Sequence, residues 1–384
     1  MSDPATSVDR YCWIEMTDRE SPLWWQGVSL AARHLLKWNL LFFIAGFVFD
    51  VLATRAGVDH TLMIVQQIVY LAIIGAILYV DFVRDAQPEA LPMPRWTERL
   101  WQYRSLVFHF CLGTLMNLYS IFFLMSASLF SSIAFVVILF GAVVLNELHA
   151  VRHSGLDVKV AFYVLCIFCF WSLLIPIVLH SISRLTFFLS FAATLAVLAG
   201  FGAVLRRRIG REPLVRRLLS PGLAVSVLFL LMYLIGLIPP VPIAARTLGV
   251  YHQVERVGDE FRLSYEPAWW RLGHSDDRRF VAEPGDVVHV FFAIFAPTRF
   301  DDTVFVRWSF RDRKSNWQDS DRIPIRITGG RQLGFRGVAT KENYVPGSWR
   351  VIVETRDGRE IARLNFKIKK VETNPQRVFK TVSY

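Results

Sequence analysis

Cysteine and charged residues are both scarce in this chain of 384 residues. Only four residues are cysteine, which excludes a small fold held together by disulfide bonds. Charged types make up 20% of the residues and hydrophobic types 53%, so the chain is too apolar to be disordered or to form a single soluble domain. This composition favours a protein with a large membrane-embedded part.

The motifs of the common enzyme classes are also missing. The sequence has no Walker A loop, no dinucleotide fingerprint, no Gly-x-Ser-x-Gly elbow and no His-Glu-x-x-His. We therefore assign no catalytic residue, no metal site and no cofactor. Nucleic-acid binding is not expected either, because the densest run of arginine lies at a predicted membrane face, where it has a sufficient explanation as a topological signal.

Charge is distributed unevenly along the chain. Residues 1–245 contain 18 Lys and Arg and 14 Asp and Glu, whereas the shorter remainder contains 25 and 18. The second part is thus more than twice as charged per residue as the first. This pattern predicts an apolar helical block followed by a soluble domain.

The first part contains seven apolar stretches near the length of about 20 residues that a helix needs to cross a bilayer. We therefore predict an all-α transmembrane domain of seven helices over residues 35–245. The predicted spans are Leu35–Leu52, Leu62–Val80, Ser105–Met125, Ser131–Leu148, Val160–Leu179, Leu185–Leu205 and Gly222–Ile243.

Positive charge predicts the direction in which the spans cross, because cytoplasmic loops retain Lys and Arg. With the N-terminus inside, the inner segments hold 16 Lys and Arg, and the outer segments hold only Arg55 and Arg184. We therefore expect a multi-pass protein of the bacterial inner membrane. Its cytoplasmic segment, residues 1–34, would carry an interfacial helix, and an odd number of spans would place the second part in the periplasm.

In the second part the hydrophobic period changes to two, as in a strand with one covered face. Val304–Phe310 and Ile323–Ile327 both alternate in this way, whereas Val287–Ala296 is apolar on both faces and predicts a central strand. Together these runs predict an all-β antiparallel sandwich over residues 246–371, followed by a flexible tail over residues 372–384.

A dipeptide between two alternating runs predicts one hairpin of this sandwich. Asp357 and Gly358 separate the run that begins at Trp349 from the run that ends at Ile368. Asp-Gly favours a type I′ turn, which needs positive φ at both central residues.

Part of the predicted sandwich resembles a known bacterial family. The resemblance is carried by Arg307–Trp308, Gly-Phe-Arg-Gly at 334–337, and Pro-Gly-Ser-Trp-Arg-Val at 346–351, with Asp357–Gly358 and Phe366 after them. Over roughly residues 300–370 the chain is similar to the family known as domain of unknown function 2914. The resemblance implies a small β-rich envelope domain, often attached to membrane helices, and it implies no catalytic residues.

The third predicted span carries a stripe of small and polar residues within about 100° of helical arc. The stripe consists of His109, Gly113, Met116, Asn117 and Ser120. Small and polar residues on a membrane helix favour close packing against another helix. Because ionisable groups within a membrane also mark functional pathways, we take His109, Asn117 and Ser120 as a candidate intramembrane polar site.

Two other clusters have simpler interpretations. Glu147, His149 and His153 have the spacing of metal ligands, but they fall where the fourth span leaves the membrane, which favours a solvated helix end. Cys166 and Cys169 lie within the fifth span without a second pair of ligands, so we interpret them as small apolar residues.

The sequence is compatible with two functions. The first is a membrane anchor in contact with lipid that presents the sandwich to a protein, glycan or lipid of the envelope, for recognition or scaffolding. The second is a transporter or intramembrane enzyme with its site around His109 and Asn117 and with the sandwich as a lid or regulator.

Overall fold

The computed structural model describes residues 61–87, 101, 103–128, 132–147, 155–267, 275–297, 300–311, 316–329, 334–372 and 377–384. All of them belong to one compact unit, Asp50–Tyr384. The first predicted span, Leu35–Leu52, and the predicted interfacial helix before it lie outside the described residues.

The N-terminal half of the described chain is helical. Its helices are α1 Thr61–Ala86, α2 Arg104–Ser126, α3 Ile133–Glu147, α4 Leu156–Leu179, α5 Arg184–Arg206 and α6 Arg211–Leu234. The described ranges thus hold six helices where seven spans were predicted for the chain. Five of them are long and apolar enough to cross a membrane by length and composition, and the 15-residue α3 is shorter.

The last helix differs from its prediction, Gly222–Ile243, at both ends. It begins earlier, at Arg211, and includes a π-helical turn over Val215–Leu219. It ends at Leu234 because Gly236 adopts a φ of 76° and two prolines follow shortly afterwards. Apolar residues after that point belong to turns, which hydropathy alone does not distinguish from helix.

The C-terminal part is β-rich, and its strands form three sheets. The strands are β1 Ala244–Tyr251, β2 Gln253–Val257, β3 Glu260–Tyr265, β4 Arg279–Ala282, β5 Val288–Phe295, β6 Asp301–Arg311, β7 Trp317–Thr328, β8 Phe335–Lys341, β9 Gly347–Glu354, β10 Glu360–Lys370 and β11 Lys380–Ser383. The sheet orders are β1-β5-β8, β4-β10-β9-β6-β7 and β11-β3-β2. All pairings are antiparallel except that of β4 with β10, which corrects the expectation of a wholly antiparallel domain.

The sheet β1-β5-β8 is covered on both faces. Val290 and Phe292 of β5 share a core with Val306 and Trp308 of the five-stranded sheet. The neighbouring Phe291 packs instead in a second core with side chains of the β11-β3-β2 sheet. The predicted central strand is therefore confirmed, and the third sheet is a layer that the sequence analysis did not predict.

The hairpin between β9 and β10 is confirmed, but its turn is not type I′. Gly358 has a φ of 80°, whereas Asp357 does not have positive φ. The N–H of Gly358 donates to the carbonyl of Thr355 at 2.9 Å, and a bulge lies between Glu360 and Ala362. With this bulge, the connection needs only one residue in the left-handed conformation, and Gly358 supplies it.

The residues predicted as a flexible tail contain the strand β11. Lys380–Ser383 pairs antiparallel with β3, and Val382 and Tyr384 contribute to the core that this sheet forms with β5. The alternation of Val382 and Tyr384 with Thr381 and Ser383 is a weak signal, because a four-residue strand acquires its stability from the sheet that it joins.

Candidate functional site

The polar stripe of the predicted third span lies on α2 and is buried. His109 and Asn117 are 6% and 4% exposed, and Ser120 is fully buried. The Nδ1 atom of His109 lies 2.8 Å from the Oδ1 atom of Asn146, near the end of α3. The Nδ2 group of Asn146 also donates to the carbonyl oxygen of His109 at 3.5 Å. This part of the stripe therefore joins two helices.

The sequence analysis did not predict a role for Asn146, because it is a single polar residue at the end of an apolar span. It is fully buried, and the histidine one helix away is the only signal of its role among the described residues. Polar side chains that bond across helices stabilise membrane proteins modestly, by about 0.6 kcal/mol on average. The geometry of His109 is that of such a packing contact.

The other sequence clusters do not form a site within the described ranges. There, no group of three or more His, Cys, Asp or Glu side chains is placed to hold a metal ion. Glu147 ends α3, and His149 and His153 lie outside the described residues. Cys166 and Cys169 are free and buried inside α4, as expected of small apolar residues.

The loop between α4 and α5 fastens the helices to the five-stranded sheet. A carboxylate oxygen of Asp302 accepts hydrogen bonds from the N–H of Ile182 at 2.9 Å and from the hydroxyl of Ser181 at 3.3 Å. The N–H of Asp301 donates to the carbonyl of His180, at 3.3 Å. Ile182 itself is buried in the core of the sandwich. The helical block thus contributes a core residue to the β-domain.

The β9–β10 hairpin makes a second contact with the helices. The guanidinium of Arg359 lies 4.0 Å from the ring centroid of Tyr233 on α6, and that ring stacks on Phe187 of α5 at 3.4 Å. Burial lowers the pKa of Arg359, although the contact with Tyr233 opposes that shift. Ser128, which follows α2, donates a hydrogen bond to Glu360. The sandwich therefore contacts the helices through several fixed points.

The five-stranded sheet has one face on the core and one face on which basic residues outnumber carboxylates, although Arg326 and Arg363 pair there with Asp301 and Glu360. Alternate residues of each strand point to opposite faces, so the residues between the core positions share the other face. We call this face the arginine face. Its basic residues are Arg307 and Arg311 of β6, Arg322 and Arg326 of β7, Arg350 of β9, and Arg363, Lys367 and Lys369 of β10.

A buried carboxylate organises the middle of the arginine face. Glu354, only 3% exposed, accepts hydrogen bonds from Nε of Arg307 at 3.0 Å and from Nε of Arg322 at 2.8 Å. A carboxylate oxygen of Asp319 accepts a hydrogen bond from Nη1 of Arg307 at 3.1 Å. Hydrogen bonds from Ser309 and from Arg307 lower the pKa of Asp319. Asp319 therefore stays ionised, and the two carboxyl groups together hold the guanidinium planes in place.

Two arginines of this face stack on aromatic rings. The guanidinium carbon of Arg322 lies 3.7 Å from the ring centroid of Phe305, and that of Arg350 lies 3.8 Å from the ring of Trp317. Nε of Arg350 also donates to the side-chain oxygen of Asn365 at 3.0 Å. Stacked guanidinium groups present their remaining N–H donors in a fixed plane, which suits carboxylate, sulfate or phosphate oxygens.

Comparison with known proteins yields one family and several distant solved structures. No curated protein matches the chain. An immunoglobulin-like protein from Pseudomonas aeruginosa is 12% identical, with 32% of this chain and 97% of that chain covered and a TM-score of 0.19. A β-glucosidase from Listeria innocua in complex with isofagomine is 11% identical, with 30% and 17% covered and a TM-score of 0.19.

A third solved structure is an alkylpurine DNA glycosylase from Pseudomonas fluorescens bound to DNA containing an abasic site analog. It is 9% identical, with 80% of this chain and 98% of that chain covered and a TM-score of 0.22. At such low TM-scores, none of these likenesses carries an argument about function.

The family match falls on the strands that carry the arginine face. Residues 301–368 match the family model described as protein of unknown function (DUF2914). These residues include β6, β7 and β9 and most of β10, which are four of the five strands of that sheet. The C-terminal part of this chain is therefore similar to the DUF2914 family over residues 301–368.

Proposed function

We propose that this chain is an integral protein of the bacterial inner membrane that presents its sandwich in the periplasm and binds an anionic glycan of the envelope on the arginine face. The observation that carries the proposal is the set of guanidinium groups held in place by Glu354, Phe305 and Trp317. An anionic polymer matches the sign and the planar donor geometry of this face.

Membrane insertion is supported by the five long apolar helices and by the distribution of positive charge along the sequence. The periplasmic placement of the sandwich rests on the same charge distribution. The contacts of Ile182 and Arg359 favour a sandwich held at a fixed position on the helices rather than one on a flexible tether. A fixed position suits a recognition domain whose ligand lies close to the membrane.

The alternative of intramembrane transport or catalysis has weaker support. His109 would be its most reactive group, but Nδ1 of this histidine is engaged by Asn146 in a contact between two helices. A hydrogen bond between two helices is sufficient to explain why these polar residues lie on α2. We therefore treat His109, Asn117 and Ser120 as packing residues in the proposal.

Binding of the full chain to a model polyanion tests this proposal. The chain, reconstituted in nanodiscs of neutral lipid, is passed over immobilised dextran sulfate and over uncharged dextran. We expect saturable binding to dextran sulfate alone. The double variant R311Q/R350Q should bind at least tenfold more weakly, because the loss of a single charge-assisted hydrogen bond of about 1.5–3 kcal/mol already weakens binding by that factor.

The matched control is R256Q/R262Q, which removes two positive charges from exposed residues of the β11-β3-β2 sheet. It should bind dextran sulfate as the unaltered chain does. Equal loss in both double variants would indicate nonspecific attraction by net charge, and equal binding to dextran and dextran sulfate would likewise overturn the proposal.

A further inference from the structure

The end of the helical block that faces away from the sandwich is built from charged helix termini. Helices α2, α4 and α6 meet the sandwich near their C-terminal ends, through Ser128, the loop after Leu179, and Tyr233. Their N-terminal ends therefore gather at the opposite end of the block, together with the C-terminal end of α1. We call this the far end.

A cavity of about 760 Å³ opens at the far end. Its charged lining has five cationic side chains and three carboxylates, so the cavity is net positive. The lining residues that carry the argument are Asp81, Arg84, Asp85, Trp101, Arg104, Asp157, Lys159, Arg216 and Arg217.

Ion pairs between the lining residues neutralise part of this charge. Asp81 accepts from Arg104 at 3.1 Å and from Lys159 at 3.3 Å, and Asp85 pairs with Arg217. Among the described residues, no ion pair is left for Arg84 or Arg216. These two guanidinium groups are therefore available to an anion from outside.

Arg84 is a cationic side chain that lies against the aromatic wall of the cavity. Its guanidinium lies 5.4 Å from the ring centroid of Trp101, and the guanidinium of Arg104 lies 5.5 Å from the same ring. The Nε atom of Arg84 is buried and has no hydrogen-bond partner within the described ranges. A buried donor without a partner is unfavourable, and an anionic ligand would supply the missing acceptor.

The backbone of α6 departs from regular α-helix at the cavity. The π-helical turn Val215–Leu219 adds a residue to the turn of α6 that bears Arg216 and Arg217, while Leu218 remains buried in the helical core. Turns of this kind within helices are frequent at functional sites. Here the turn sets the direction in which the two arginines leave the helix.

Two long helices also begin at the cavity without a side-chain cap. The N-cap residues of α2 and α4 are Tyr103 and Gly155, and neither provides a side-chain hydrogen bond to the helix N-terminus. The first turn of α4 already contains the carboxylate of Asp157, whereas the first turn of α2 contains no acidic residue, so the uncapped N–H groups and the dipole of α2 favour an anion from outside. The first turn of α2 carries Arg104, whose side chain lines the cavity.

We propose that this cavity binds a phosphate group, as a monoester or diester, with Arg84 and Arg216 as its principal ligands. An adjoining cavity of about 320 Å³ shares Asp85, Arg216 and Arg217 with the first and adds apolar surface from Phe82 and Ile209. The phosphate can belong to a lipid headgroup, whose glycerol portion would reach this apolar wall, or to a soluble phosphate compound.

The test measures ligand binding to the full chain purified in a neutral detergent, with the melting temperature as readout. The probes are dioleoyl phosphatidylglycerol, dioleoylglycerol with the same chains but no phosphate, and inorganic phosphate. We expect saturable stabilisation by phosphatidylglycerol and none by dioleoylglycerol. Stabilisation by inorganic phosphate that saturates and depends on the same arginines would identify a soluble phosphate compound as the ligand.

The variant R84Q/R216Q should weaken binding about tenfold or more, since it removes two charged donors. Its control is R207Q/R208Q, which removes the same charge between α5 and α6 from residues that do not line this cavity. If the first variant does not accumulate, the exposed Arg216 is replaced singly, with R207Q as control. Equal weakening in variant and control, or no response of the unaltered chain to either phosphate probe, overturns the proposal.

Discussion

His252 and Asp277 form a buried pair that joins the β1–β2 connection to the segment before β4. Nδ1 of the imidazole lies 2.7 Å from a carboxylate oxygen, and Nε2 lies 3.1 Å from the carbonyl oxygen of Val281. Each ring nitrogen therefore lies within hydrogen-bond distance of an oxygen atom. The ring also stacks on Phe280 at 4.0 Å. This pair lies beside the C-terminal residues, which pack over it through Phe379.

The substitution Asp277→Asn should destabilise the β-domain by about 1–3 kcal/mol, because an amide oxygen can replace only one of the two carboxylate oxygens that bind His252 and the N–H of Glu266. Burial raises the pKa of Asp277, and the hydrogen bond with His252 opposes that rise. The measurement is thermal unfolding of the full chain in neutral detergent. As a control, Asp259→Asn changes a fully exposed carboxyl and should have almost no effect. Equal melting temperatures for the two variants would show that the pair contributes little.

Acid should loosen the C-terminal residues through Arg377. This arginine lies 2.7 Å from a carboxylate oxygen of Glu266 and 2.8 Å from one of Asp286, and it donates to the carbonyl of Val281 at 2.7 Å. Burial raises the pKa of Asp286, but hydrogen bonds from Arg377 and from the N–H of Glu283 outweigh it, so the pKa lies below its ordinary value. A carboxyl with a depressed folded pKa adds stability above its unfolded pKa of about 4.

That contribution is lost as the pH falls from about 5 toward the folded pKa. We therefore expect protection of the β11 amides from hydrogen exchange to decrease over this range. In Asp286→Asn the protection should be lower at neutral pH and should change less with acid, whereas Asp259→Asn should follow the unaltered chain. A pH profile for Asp286→Asn that matches the unaltered chain would argue against this role of Asp286.

Ile182 should behave as a core residue of the sandwich although it lies between two helices. Its truncation to alanine removes buried methyl and methylene groups, which typically costs 2–5 kcal/mol. Leu185, three residues further on and 63% exposed, provides a control of similar size. We expect limited proteolysis to cleave the sandwich of Ile182→Ala faster than that of Leu185→Ala. Equal cleavage rates would mean that the sandwich is stable without this contact.

The His109–Asn146 contact is suited to a double-mutant cycle. If it is a packing contact, His109→Ala and Asn146→Ala should each lower the melting temperature, and the double variant should lose less than the sum, with a coupling of about 0.6 kcal/mol. Binding of dextran sulfate on the arginine face should be unaffected. If a fully stable His109→Ala variant binds dextran sulfate normally but does not replace the unaltered chain in a cell that lacks it, the intramembrane function is favoured instead.

The order of helices and strands could be predicted from local patterns, whereas the layers of the β-domain could not. Apolar length predicted all six described helices, although α6 has other ends than predicted. A period of two predicted β6, β7, β9 and β10, and a run that is apolar on both faces predicted β5. The β11-β3-β2 sheet was missed because its strands are short and β2 is mostly exposed, so the period carries little signal. Its existence depends on packing against Phe291, which is a long-range contact.

The candidate sites show the same limit. The stripe on α2 was visible because its residues recur with helical spacing, but Asn146 required the neighbouring helix to be placed. The arginine face was hidden for a different reason: its residues alternate along several strands, and only cross-strand pairing brings them together. Arg307 pairs with Arg322 and Ile352 in register, an arrangement that spacing along the chain does not predict.

The direction of membrane insertion is the prediction on which the proposed function depends most. Cytoplasmic loops retain arginine, so the charges that flank the helices predict that the sandwich is translocated. Alkaline phosphatase fused after Tyr384 should be active, and green fluorescent protein at the same position should not fluoresce. The same two reporters fused after Arg208, between α5 and α6, should give the opposite result and serve as the internal control. A fluorescent C-terminal fusion would place the arginine face in the cytoplasm, where no envelope glycan is within its reach.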